Sequence, residues 1–478
     1  MSTPSQLIHS FALSFKEGVS LSQPTESRVI LRASFVDVPL EQPSPGVLAA
    51  LQILSSASAT EEQLADLARQ YDGDLGPPRI LYYLQRLARL GLICYTVNWN
   101  GIKLATLVPL SPVYQLTMIN PDENEAYLLS RFAYLRQEDG QFVLESPLGY
   151  AKVVLHDWKA TALLHTLTRP HRLSELSAEF QDISQETISM FVSLLLSGQA
   201  VSAVSDEEQS EQKQILAQWD FHDLLFHTRS RLGRHTNAYG GTYRFLGRIE
   251  PLTAVKSPPS DEVVSLYQPD IEALKAEDVP FTQVLEERQS WRTYGNHPIT
   301  VEQLGEFLYR TARIRSCPEA RPGEYERSNR PYPNGGACYE LELYVVVNTC
   351  QGLPAGLYYY GPKEHLLYKL SGQTREVEAL LAGAYQAAAQ EDQPQVLIIL
   401  TARFQRVSWK YASIAYALIL KHVGVLYQTM YLVATAMGLA PCALGGGNSD
   451  LFASAAGTNY CAETSVGEFL LGSMVGKG

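Results

Sequence analysis

Arg406-Val407-Ser408-Trp409-Lys410-Tyr411-Ala412-Ser413 leads into Ile414-Ala415-Tyr416-Ala417-Leu418-Ile419-Leu420 and on to Met437-Gly438, the longest apolar run of helical character in the chain. Apolar side chains fall on nearly every face of such a helix, which predicts a buried central helix rather than an amphipathic surface one. Lys410 and Tyr411 are expected to open it. A helix start carries partial positive charge, so a cation in its first turn is misplaced and its proton is easier to remove, as a general base requires. The plainer reading is a lysine whose stem crosses apolar surface and whose head reaches water. The rest of the sequence decides between the two.

A length of 478 residues suggests roughly two to four domains and ample core. The 38 Lys+Arg against 50 Asp+Glu leave a formal charge of −12, with no basic stripe, so nucleic acid and anionic membrane surfaces are poor partners. Met1-Ser2-Thr3-Pro4-Ser5-Gln6 has neither the charged start nor the long apolar run of a signal or a span, which predicts a cytoplasmic protein. Six cysteines, Cys94, Cys317, Cys338, Cys350, Cys442 and Cys461, form no C-x-x-C pair. No metal site or disulfide framework is expected, and they read as reduced, mostly buried thiols.

The first 200 or so residues repeat one order of elements at a spacing of about 110 residues. Short strands at Phe11–Phe15 and Arg28–Leu31 precede helices at Val47–Leu54, Glu61–Leu67 and Ile80–Ile93. The series returns as Phe132–Leu135, Phe142–Ser146, Lys159–Leu167, Leu173–Leu176 and Ile188–Leu196. This is the order of a winged helix-turn-helix, with Gly91 and Gly198 as helix C-caps. The last helix, Ile188–Leu196, has no basic residue, which argues against DNA. A wing strand with an open edge can instead accept an extended peptide beside a helix that supplies pockets. Two modules that only pack or mediate dimerisation would read the same way.

The polar stretch Ser205–Lys213 marks the next boundary. Beyond it, Phe221-His222-Asp223-Leu224-Leu225-Phe226-His227 places two histidines at i and i+5, which is not the spacing of a helical metal pair. Three later stretches could hold a flavin. Arg288-Gln289-Ser290-Trp291-Arg292 offers two guanidinium groups and a hydroxyl at alternate positions, on one side of an extended backbone, suited to a phosphate. Pro333-Asn334-Gly335-Gly336-Ala337 lets backbone approach a flat ring closely, although turn chemistry alone explains it equally well. Ala443-Leu444-Gly445-Gly446-Gly447-Asn448 exposes amides to a flavin nitrogen or a phosphate. Nucleoside-triphosphate and Rossmann dinucleotide motifs are absent.

Together these stretches resemble the nitroreductase-like FMN fold. The closer resemblance is to its SagB-type branch, the thiazoline and oxazoline dehydrogenases that include the cyanobactin oxidases. It is carried by Phe221–His227, Tyr239-Gly240-Gly241-Thr242-Tyr243-Arg244, Gly356-Leu357-Tyr358-Tyr359-Tyr360 and Lys410-Tyr411. The resemblance implies an α+β chain: winged-helix, peptide-clamp-like domains at 1–105 and 106–204, a linker at 205–215, and an FMN oxidase domain at 216–478. It implies FMN held by Arg288, Ser290, Arg292, Pro333, Asn334, Gly335, Gly336, Leu444, Gly445 and Gly446. It further implies a homodimer with FMN at the interface, the Pro333–Gly336 segment reaching the flavin from the partner, an azoline-containing precursor peptide as substrate, and Lys410 and Tyr411 as the catalytic pair. Relatives close a C-terminal basic residue over the phosphate, and here only Lys477 is available. The alternatives are an NAD(P)H-dependent nitroreductase or quinone reductase, and a flavin-free scaffold that docks peptide for a cyclodehydratase.

Overall fold

The computed structural model describes residues 10–475 apart from 26–27, 34–35, 112–115, 206–210, 322 and 390. It divides into two compact units, Met1–Asn237 and Ala238–Gly478. Lys477 lies outside the described residues.

In the first unit, β1 (Ala12–Phe15) is followed by the meander β2 (Ser20–Thr25), β3 (Arg28–Ala33) and β4 (Val36–Glu41). Helices α1 (Pro45–Ser56), α2 (Glu61–Asp72) and α3 (Gly76–Arg89) come next. Thr60 and Gln63 close a reciprocal capping box at the start of α2, satisfying two amides that the helix cannot. After the hairpin β5 (Ile93–Trp99) and β6 (Ile102–Pro109) and strand β7 (Ala126–Leu129), the order returns: β8 (Tyr134–Glu138), β9 (Gln141–Glu145), β10 (Ala151–Leu155), α4 (Trp158–Thr166), β11 (His171–Arg172), α5 (Leu173–Glu179), α6 (Gln185–Ser197) and β12 (Val201–Ala203). The two modules are fused rather than strung together. The second meander continues the β5–β6 hairpin in one sheet of order β1-β5-β6-β10-β9-β8, over a shared core.

The two expected glycines end their helices in different ways: Gly91 takes the left-handed conformation (φ 66°) after α3, whereas Gly198 caps α6 with helical dihedrals (φ −82°) and Gln199 turns left-handed at φ 54°. The close approach at this helix end is required of Gly149 instead: a Cβ there would run into the backbone carbonyl of Gly198. The stretch 205–215 is not wholly a linker, since α7 (Glu211–Ala217) begins within it. Helix α8 (Phe221–Arg229), grouped above with the oxidase segment, falls in the first unit, where Arg229 reaches Glu145 (2.6 Å) and the Tyr134 hydroxyl.

The second unit contains β13 (Gly240–Gly241), β14 (Val263–Ser265), α9 (Ile271–Glu277), α10 (Phe281–Glu287), α11 (Val301–Ala312), β15 (Leu341–Val347), β16 (Gly356–Gly361), β17 (Leu366–Ser371), α12 (Arg375–Ala387), β18 (Val396–Arg403), α13 (Phe404–Ser408), β19 (Tyr411–Ala412), α14 (Ala415–Ala436), β20 (Leu439–Leu444), α15 (Ser449–Ala456) and β21 (Glu463–Ser473). An antiparallel sheet of order β14-β17-β16-β15-β18-β21-β20 carries helices on both faces, so β15 and β18 are buried along their whole length. Leu343, Val345 and Ile398 face α11 and α14, while Tyr344, Val346 and Ile399 face α12 and α15.

The long helix corrects the expectation about Lys410. It starts at Ala415, after Ser413 in the left-handed region (φ 62°). Lys410 lies in the turn after α13, and Tyr411–Ala412 pair antiparallel with Gly240–Gly241. That pairing and the Ser413 kink break the helix, so the lysine stands outside the field of its first turn. Nor is α14 covered all round: His422, Val423, Leu426, Met430 and Ala434 are buried, whereas Tyr416, Leu420, Gly424 and Gln428 are exposed. Its 22 residues are long and apolar enough to cross a membrane, but its buried face lies in the core against the sheet.

Candidate active site

Lys410 is almost fully buried at 7 % exposure. Its Nζ donates to the Gly336 carbonyl (3.0 Å) and stands 5.4, 5.4 and 5.7 Å from the ring centres of Tyr325, Tyr411 and Tyr243. Three π faces and one carbonyl therefore define where the amine points. Gly336, at φ 64°, is the wall of this chamber: a Cβ there would lie 2.4 Å from both Lys410 Nζ and the Tyr411 hydroxyl. The geometry gives the glycine pair a reason that turn chemistry alone did not supply.

The preceding residues fasten the cage. Arg406 is fully buried, and its guanidinium donates to the carbonyls of Cys338, Leu252 and Glu326 at 2.6–3.0 Å. It also lies 4.4 Å from the centre of the Tyr325 ring. The Tyr325 hydroxyl returns a bond to the Arg406 carbonyl (2.5 Å), and burial pushes that phenol far above its ordinary range, so it stays protonated. Trp409 stacks on Tyr325 and donates Nε1 to the Ile249 carbonyl (2.7 Å). The Tyr239–Arg244 motif contributes backbone as well as the Tyr243 ring: Gly240–Gly241 form β13, and Tyr243 N donates to the Lys410 carbonyl (3.2 Å).

Pro333–Ala337 is pinned to α14 by a relay. Gly335 N–H donates to His422 Nε2 (2.8 Å), which assigns the ring proton to Nδ1 and its bond to Glu340 (2.7 Å). Glu340 also receives the Asn334 amide (2.9 Å). Glu340 and His422 were not legible as site residues, because no motif or spacing in the sequence links one to the other.

A second cluster forms further along α14, around Tyr431. Ser290 Oγ lies 2.7 Å from the Tyr431 hydroxyl, the Arg288 guanidinium is 5.4 Å from the ring centre, and Ala443 N–H donates to the same hydroxyl (2.8 Å). Arg292 acts electrostatically on Cys442 and Tyr294. Leu444 is buried at the end of β20, and Gly445 and Gly446 are exposed beyond it. The structure thus joins Arg288, Ser290 and Arg292 to the β20 end, and Pro333–Gly336 to Lys410–Tyr411. Nine residues of helix separate His422 from Tyr431, about 13 Å of rise.

The donor set fits FMN. Arg288 and Arg292 form no salt bridge among the described residues, and a hydroxyl stands between them in sequence, which suits a dianionic phosphate. Elsewhere, Asp220, His222 and Asp223 bring ligand atoms within 4.8 Å of one another, and all three are exposed. The six cysteines are free, but only Cys94, Cys338 and Cys442 are buried.

Residues 285–474 match the nitroreductase family, and with the sheet and its two helical layers they define an oxidoreductase of the nitroreductase class. Residues 7–118 match the family described as ThcOx helix turn helix domain, and residues 127–236 that described as cyanobactin oxidase ThcOx. In this order the three matches make the chain similar to the cyanobactin oxidases, with a nitroreductase-like segment at 285–474. A Methanocaldococcus jannaschii protein named for the nitroreductases is 29% identical over 187 residues, 38% of this chain and 85% of that protein. A Ralstonia eutropha crystal structure of the same naming is 20% identical with a TM-score of 0.37, covering 48% of this chain and 98% of that one. A chain of the E. coli microcin synthetase McbBCD complex with truncated pro-MccB17 bound is 16% identical with a TM-score of 0.33, covering 57% and 100%.

Proposed function

We propose that the protein is an FMN-dependent oxidase that dehydrogenates peptide thiazolines or oxazolines to thiazoles or oxazoles, with Lys410 and Tyr411 as the base pair. The observation that carries this reading is the Lys410 chamber: a buried amine aimed by three tyrosines, with the Tyr411 hydroxyl beside it at Gly336. An azoline becomes aromatic by losing one hydride and one proton, and the proton on the former cysteine α-carbon is acidified by the adjacent C=N and carbonyl. Bound flavin supplies the hydride acceptor, with molecular oxygen as the final oxidant. Arg288, Ser290 and Arg292 would hold its phosphate, and Leu444, Gly445, Gly446 and Pro333–Gly336 would supply backbone contacts to it. Lys410 receives the proton while Tyr411 orients it or polarises the ring nitrogen, and the aromatic walls keep water from the amine.

The first module supports a peptide-clamp role. The open edge of β4 faces α3 across a groove of about 410 Å³ lined by Asp37, Pro39, Tyr82, Arg86 and Arg89. Pro39 lacks an amide hydrogen and so suits an edge strand, whose free carbonyls can pair with an added peptide strand. The exposed Tyr416–Leu420–Gly424 face of α14 supports a homodimer, since glycine lets a second helix approach closely.

The deciding experiment is mass spectrometry of a thiazoline peptide incubated aerobically with the FMN-loaded protein and with Lys410→Ala. A loss of about two mass units per ring, with the parent protein only, is expected for removal of a hydride and a proton. No mass change despite bound flavin, with NADPH consumed on nitroaromatics, would make it a reductase.

A further inference from the structure

Tyr431 stands in an apolar run that no motif singles out, yet its hydroxyl is where the candidate phosphate and ring segments meet. The phenol is buried on α14, against Phe469 at a centroid distance of 5.3 Å. An amide can only donate, so Ala443 N–H occupies one lone pair of the Tyr431 oxygen. The phenol's own hydrogen then needs an acceptor, because a buried donor left unpaired is costly, and Ser290 Oγ lies 2.7 Å away. With its oxygen accepting from Tyr431, Ser290 turns its own hydrogen outward, and Ser290 is exposed.

We propose that Tyr431 is a positioning residue that makes Ser290 an outward hydrogen-bond donor to a phosphate, through the one-way chain Ala443 N–H to Tyr431 O–H to Ser290 O–H. This rests on the flavin reading of the Arg288–Arg292 segment. Bonds in such a chain polarise one another, so the last donor is stronger than an isolated serine. Ser290 also borders the Cys442 thiol, a weak partner that does not compete with an anion. The segment itself is docked independently, since Trp291 N donates to the Pro441 carbonyl (2.8 Å). Phenylalanine at 431 would keep the ring beneath Arg288 and against Phe469, and remove only the relay.

The test is the dissociation constant of FMN and of riboflavin, which lacks the phosphate, for the parent, Tyr431→Phe, Ser290→Ala and the double variant. One lost charge-assisted hydrogen bond predicts FMN affinity roughly tenfold weaker in Tyr431→Phe, riboflavin affinity within about twofold of the parent, and a double variant no worse than Ser290→Ala. Equal losses for both flavins, or additive losses in the double variant, would overturn the relay. A parent that holds FMN no better than riboflavin, with Arg288→Ala unchanged, would remove the phosphate site itself and the relay with it.

Discussion

Lys410 is held by its neighbour Tyr411 together with Tyr243, Tyr325 and Gly336, which lie far from it in sequence, and this governs what its replacement should do. Lys410→Ala and Tyr411→Phe should retain FMN while azoline oxidation falls by roughly a hundred- to ten-thousand-fold, the usual span of a general base. Loss of flavin in the Lys410 variant would make the lysine structural. Gly336→Ala puts a methyl group 2.4 Å from both Lys410 Nζ and the Tyr411 hydroxyl at a left-handed position (φ 64°), so both side chains and the local backbone must shift. The variant should oxidise poorly and melt lower than the parent, as turnover and thermal melting would reveal together. Glu468 offers a test by pH. Burial raises its pKa above the ordinary 4.5, so its folding contribution is fully present below that value and is lost as pH rises through the raised one. Glu468→Gln should melt higher than the parent at neutral pH and lose that advantage in acid; an equal difference at both pH values would contradict the assignment.

At the scale of elements, the groove between β4 and α3 is the testable feature. Arg86 and Arg89 project from α3 into it, so an extended peptide that reads the open edge would also meet two guanidinium groups. The double variant Arg86→Glu/Arg89→Glu should weaken binding of an acidic precursor peptide, measured by fluorescence anisotropy, and leave oxidation of a short azoline substrate unchanged. Unaltered affinity would return the module to a packing role. Sequence periodicity located these helices well, since each buries one apolar stripe, as Leu64 and Ala68 do in α2 and Ile80, Leu84 and Leu87 do in α3. It placed Gly198 at the end of its helix, but not the left-handed turn that follows, which falls to Gln199, nor the close approach that requires glycine at 149.

For the whole molecule, Pro333–Gly336 and Lys410–Tyr411 are packed together in one chain, whereas the Arg288 cluster lies elsewhere along α14. If the glycine segment serves the flavin of the partner, as the resemblance implies, the catalytic pair goes with it. Mixing Arg288→Ala with Lys410→Ala, each inactive alone, should then restore about a quarter of parental activity in the mixture, since random pairing makes about half of the dimers mixed and each of those has one intact site of two. No recovery on subunit exchange would place both clusters in one protomer's site.

Much of this was written in the linear sequence. Apolar spacing determined the repeated helices and most of the long one, because local periodicity reports which face leaves water. The Arg-x-Ser-x-Arg and Lys-Tyr pairs, through the resemblance they carry, pointed to a flavin phosphate and a base. Only the tertiary structure decided that Lys410 precedes its helix, that Tyr243, Tyr325 and Gly336 enclose it, and that Tyr431 joins Ser290 to β20. Those contacts bridge segments up to 167 residues apart, as between Tyr243 and Lys410, and depend on chain crossings that no local pattern encodes.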